Sequence, residues 1–249
     1  MLYAALALWL LVLIFSATGV YSQWCRLLPP RTVNLLLLPG TLVSQLGLVA
    51  GMLLSGQTVR NTSLLGGDAE AGPQSDPPQE SRIPVLGPIL VGMMPVVACL
   101  VALWVASWLL GGRPGPGSAA ILLPGDFPTS AALVWVLLHE LLRAAEAIVE
   151  ALASADMLNW RSVLRTYLAI CLVIRMAPPP AHQRGAIGAV ALVAGILCLL
   201  GLFWPGTPAA VSAGWPMLSY CVALSVALLL LTLGIRGLIS LVRIVVRGS

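Results

Sequence analysis

The chain has 249 residues, of which 59% are hydrophobic and only 9% charged, whereas soluble domains carry about 25% charged residues. That composition argues against a soluble enzyme and for helices packed in lipid. The apolar runs are long and unbroken, which argues against a transmembrane β-barrel. The net charge of +4 carries no lysine; its arginines are scattered over loops and helix ends, which argues against nucleic acid as a partner.

In chain order, Met1 to Tyr21 reads as an apolar helix, retained as a span rather than cleaved as a signal peptide, because no basic residue precedes it. Gln23 to Thr32 reads as a short polar loop that Pro29-Pro30 closes. Val33 to Ser55 reads as a second apolar helix, broken near its start by Pro39-Gly40, with Ser44-Gln45 as its polar interruption. Gly47 and Gly51 are spaced to let another helix approach closely. Residues 56–82 hold Asp68, Glu70, Asp76 and Glu80 among Gly and Pro, and read as a polar, partly disordered loop.

Ile83 to Leu110 is long enough to span. Gly112 to Pro128 is a Gly/Pro-rich connection. Residues 129–177 read as an amphipathic helix, Thr129 to Asn159, followed by a short helix from Trp160 to Ala177. Pro178-Pro179-Pro180 ends the second. Ala186 to Trp204 reads as a span, Pro205 to Trp215 as an uncharged loop, and Pro216 to Val242 as the last span. Cys25, Cys99, Cys171, Cys198 and Cys221 form no CxxC and read as small hydrophobes. Arginine placement sets the orientation. With the N-terminus outside and the C-terminus cytoplasmic, Arg26, Arg31, Arg113, Arg184, Arg236, Arg243 and Arg247 all fall inside.

Two features bear on chemistry. In the amphipathic helix, His139, Arg143, Glu146 and Glu150 fall within about 60° of one another on a helical wheel, with Leu137, Leu141, Ile148 and Leu152 opposite. Within this stretch, HELLR places Arg143 where a zinc helix needs its second histidine. A fixed cation there repels the metal, so Arg143 is read as pairing with Glu146. The second feature is Ser44-Gln45 in the broken helix.

The stretch from Leu38 to Leu48, LPGTLVSQLGL, resembles the zinc helix of the site-2-protease-like membrane metallopeptidases, whose bacterial members read PGTxxHELSH. Leu46 matches. Ser44 and Leu48 stand where the two histidines would be, and Gln45 stands in place of the glutamate. The stretch from Met176 to Ala186 is similar to the family's APSxxDxRGA segment, with His182 in place of the aspartate that would be the third ligand. The segment Arg82 to Pro88, and the Asp156–Arg161 turn before a helix containing Tyr167, are similar to family features as well. The resemblance spans about residues 30 to 200.

The resemblance implies a membrane helix bundle and, where the ligands are present, zinc. Here they are not. Zinc lowers the pKa of its water from 15.7 to about 7, so a site without it forgoes about 12 kcal/mol of acidity. Gln45 has no basic lone pair to replace the carboxylate.

The expectation is therefore an all-α, polytopic membrane helix bundle of about five to seven membrane helices. It would hold no metal and no cofactor. Its expected role is that of a catalytically inactive, metallopeptidase-like protein that binds a membrane-protein partner or supports an assembly in a bacterial inner membrane. A small transporter or channel component with the 139–150 stripe along a wet path is the alternative.

Overall fold

The computed structural model of the chain describes residues 2–56, 86–110, 122–154, 159–177, 183–203 and 206–247. His182, Arg82, Asp156 and nearly all of the acidic 56–82 loop lie outside them. The described residues form eight helices and no strand: α1 (Leu2–Leu27), α2 (Pro30–Leu36), α3 (Leu38–Leu54), α4 (Leu86–Leu109), α5 (Ala131–Ala153), α6 (Trp160–Arg175), α7 (Gln183–Phe203) and α8 (Thr207–Arg247).

Helices α1 and α8 are the axis of the bundle. Ser16 and Ser225 share a hydrogen bond of 2.6 Å. A Cβ on Gly19 would meet Leu229 at 3.0 Å. Arg236 donates to Gln23. The partner numbers rise together, so the two helices run in the same direction. Ala5, Leu13, Ala17 and Val20 of α1 are fully buried, which makes this helix part of the core. From Cys221 to Leu228, α8 is buried on every face. Helices α1, α5, α6 and α7 all pack on α8.

Proline positions explain the largest departures from the expected elements. Helix α1 continues to Leu27, and Pro30 starts α2, so the polar loop shrinks to Leu28-Pro29. Proline suits the first helical turn because no intrahelical partner awaits its missing N–H. The break in the second apolar stretch falls at Leu37, just before Pro39, where α2 and α3 meet at 88°. The region expected as a loop before Pro216 is instead the first part of α8, with Pro216 inside the helix. Helix α3 ends on Gly56 at φ 73°, a left-handed conformation that glycine adopts without strain.

Among the described residues, three helices are long and apolar enough to cross a membrane, or four if the bent α2–α3 pair is one broken span. This is fewer than the five to seven expected. Helix α5 carries too many ionisable residues, α6 has only 16 residues with Arg161, Arg165 and Arg175 among them, and α7 contributes the shorter apolar stretch Val190–Leu199. At 41 residues, α8 is about 60 Å long, twice the hydrocarbon thickness, and its charged end extends past the apolar bundle.

Helix α4 runs antiparallel to α3, and among the described residues these two helices share the most extensive contact. A Cβ on Gly47 would lie 2.7 Å from the Met94 carbonyl oxygen, and Leu48 and Met52 are buried with Val91. Residues 122–125 return to the end of the bundle where α1 begins. There Trp215 Nε1 donates to the Leu123 carbonyl at 2.7 Å, Trp9 Nε1 donates to the Pro124 carbonyl at 3.1 Å, and Ser219 Oγ accepts from Leu123 N–H at 3.2 Å.

Candidate functional site

The positions matched to the zinc helix lie along α3. Leu48 is buried against α4, and Ser44 and Gln45 are half-buried without a side-chain hydrogen bond among the described residues. The structure therefore places Ser44, Gln45 and Leu48 on one helix, while His182 lies outside the described residues. Among the described residues, no three His, Cys, Asp or Glu side chains come together.

A polar knot surrounds the break between α2 and α3. Ending α2 at Leu36 leaves its last carbonyls without intrahelical donors. Tyr167 Oη donates to the Leu36 carbonyl at 2.8 Å and Cys171 Sγ lies 3.7 Å from it, so α6 caps the break. Gly40 permits this, because a Cβ there would overlap the Cys171 carbonyl. Beside it, the Arg175 guanidinium stacks 4.5 Å above the Tyr21 ring and donates to Asn34 Oδ1. Tyr21 Oη donates to the same oxygen at 3.2 Å. Arg175 makes no ion pair among the described residues, and its Nε is buried without a partner. In the sequence Arg175 is only one charge near the end of a short apolar helix. The Pro39-Gly40 dipeptide was the visible signal for the break, and nothing in the sequence pointed to Asn34 or Tyr167 as its supports.

The stripe on α5 keeps its expected spacing. Ser130 caps the helix, accepting from Leu133 N–H at 3.3 Å. Ala144, Ala145 and Ile148 are buried in the bundle core, and Leu137, Leu141 and Leu152 pack against it. His139, Arg143, Glu146 and Glu150 occupy the opposite face and are all exposed. In the single chain they line the outer surface of the bundle. Arg143 pairs with Glu140 at 3.5 Å rather than with Glu146, because a helical side chain leans toward the N-terminus and Glu140 lies one turn before it. The stripe is bordered by exposed apolar side chains, among them Leu138, Leu142 and Val149.

One further concavity, a cleft of about 220 Å³ between α1, α4 and α8, is lined by Leu6, Leu10, Met93, Val96, Trp215 and Leu218. Apart from the Trp215 indole N–H, which Leu123 occupies, these side chains offer no hydrogen-bonding group to a ligand.

The fold and its apolar helices define the class: an all-α bundle with helices of membrane-spanning length. No protein-family profile, curated protein or solved structure matches the chain.

Proposed function

We propose that the protein is a multi-pass membrane protein without peptidase activity that acts by binding another membrane protein. The observation that carries this reading is the outward-facing stripe on α5. A helix packed on the core with Ala144, Ala145 and Ile148 presents His139, Arg143, Glu146 and Glu150 away from its own bundle. In lipid, each fully ionised group at mid-depth costs about 2.5–3.5 kcal/mol on insertion scales. The exposed Leu138, Leu142 and Val149 beside the stripe suit lipid or a partner helix, but the four ionisable groups suit only protein or water. A partner that covers them removes the cost.

The reading of a degenerate metallopeptidase belongs to the same proposal. It is supported by Leu48, which fills space against Met52 and Val91 where the resemblance would require an imidazole. An N-terminus outside and a cytoplasmic C-terminus are supported by the arginines at the far end of α1 and α8, Arg26, Arg236 and Arg243, and a bacterial inner membrane belongs to the same reading through the family resemblance.

A photoreactive side chain at Leu142, in protein expressed in native membranes, tests the partner. Adducts of protein mass are expected; adducts with lipid alone refute the reading. Stoichiometric zinc in the purified protein that is lost on His182→Ala would refute the claim of inactivity.

A further inference from the structure

We propose that the partner covering the α5 stripe is a second copy of this chain, joined about a two-fold axis so that Arg143 of each copy meets Glu146 of the other. This rests on the reading of α5 as a binding surface and names what binds there.

The argument starts from spacing. Positions 139, 143, 146 and 150 follow the four-three-four rhythm of a two-helix seam, the d, a, d and a positions of consecutive heptads. Val136 extends the seam on one side and Ala153 on the other. Both are exposed, as are the four polar residues between them. The whole seam is thus vacant in the single chain, whereas the reverse face of the same helix is buried.

The seam carries charges of both signs. His139 and Arg143 occupy its first half, and Glu146 and Glu150 its second. A two-fold interface brings one surface against itself, so it must be self-complementary. A seam shaped for a partner of opposite charge would need only one sign. This one carries two glutamates together with the arginine that answers them.

The match does not depend on how the two α5 helices cross. In an antiparallel crossing centred between Ala144 and Ala145, Arg143 falls opposite Glu146 and His139 opposite Glu150. In a parallel crossing, Arg143 and Glu146 occupy successive layers, about 4.5 Å apart along the axis. The two arginines and two glutamates then alternate around a ring. Within one copy, Glu146 and Glu150 repel each other at i and i+4. Arg143 is committed only to Glu140, in an exposed pair of 3.5 Å of the kind that contributes little. A second copy supplies the cation that Glu146 lacks.

The test counts protomers. Full-length protein, labelled once per chain, is placed in lipid vesicles at low protein density, and photobleaching steps are scored. Wild type is expected to be mainly dimeric. Arg143→Glu alone places four glutamates together, and Glu146→Arg alone places four arginines together. Each is expected to weaken association by about tenfold or more. Mixing the two variant chains restores opposite charges across the seam, so mixed pairs should form at close to the wild-type level while neither variant pairs with itself. Both are surface substitutions, and recovery on mixing shows that each chain remains folded.

A monomeric wild type, single reversals that still pair with themselves, or a mixture that does not recover would each overturn the proposal. If the dimer fails while the photoreactive Leu142 still captures a protein, the second copy is wrong and the binding reading stands. If that side chain captures only lipid, both fail.

Discussion

Replacing Gly47 by alanine tests the close contact between α3 and α4. A Cβ at this position would sit 2.7 Å from the Met94 carbonyl oxygen, 2.7 Å from Ala98 Cβ and 3.0 Å from Pro95 Cα. Ordinary contact begins at 3.4 Å, so α3 and α4 must separate by about 0.7 Å, the shortfall at the two nearest atoms. Two of the three obstacles are backbone atoms, which cannot rotate away. Overpacking of this kind costs about 1–3 kcal/mol, and alanine returns about 0.8–1.0 kcal/mol over glycine in helix propensity. The net expectation is a loss of up to about 2 kcal/mol. Gly234 in α8 provides the control, because a Cβ there meets nothing within 4 Å. Gly234→Ala should leave stability unchanged or slightly raised. For a chain of this length, each kcal/mol moves Tm by about 2–4 °C. Helix melting followed by circular dichroism in lipid nanodiscs should place Gly47→Ala several degrees below wild type and below Gly234→Ala. If Gly47→Ala melts at or above wild type, α3 and α4 are not in the intimate contact described. If both variants rise equally, helix propensity rather than packing sets the outcome.

Tyr167→Phe removes the 2.8 Å hydrogen bond to the Leu36 carbonyl and should cost about 0.5–1.5 kcal/mol. Amide exchange should quicken from Leu37 to Thr41 while α8 is unaffected; uniform acceleration would mean that Tyr167 does not act on the break. Ser16→Ala and Ser225→Ala each break the 2.6 Å bond between α1 and α8, for about 0.6–1.7 kcal/mol. The double variant should lose no more than the larger single loss plus a small remainder; full additivity would place the two hydroxyls in separate interactions. Arg175→Lys keeps the charge but loses the planar group above Tyr21 and the fork directed at Asn34. It should destabilise the bundle nearly as much as Arg175→Met does, and a fully stable lysine variant would show that charge alone matters there.

The apolar helices were legible because their length and composition leave little else for them to do in lipid. Their ends were less so, and proline is the reason. The same residue begins α2 at Pro30, lies in the first turn of α3 at Pro39, and sits inside α4 at Pro95 and α8 at Pro216. Read along the chain, Pro30 looks like the end of a loop, Pro39 like a break and Pro216 like a start, while Pro95 passes unnoticed inside a span. What distinguishes them is whether a neighbouring helix or side chain re-satisfies the carbonyls that proline releases. That depends on residues far away, such as Tyr167, which lies 131 positions from Leu36. The knot of Tyr21, Asn34 and Arg175 was illegible for the same reason, since it joins three helices and no two of its members are close in sequence.

The α5 stripe marks the boundary between what a pattern can say and what a fold must add. Its period places four ionisable residues on one face of α5 and apolar residues on the other, and the structure turns the apolar face to the core. A stripe of that kind has two uses in a membrane bundle: it lines an interior path, or it meets something outside. Periodicity treats these alike, because it fixes only the angle between the two faces. The deciding residues are the least conspicuous ones, Ala144 and Ala145. They let α5 approach the core closely, and with Ile148 they turn its apolar face inward. Once the apolar face is committed to the chain's own core, the charged face has no partner outside α5 among the described residues. The cost of leaving it in lipid then becomes an argument for a second molecule.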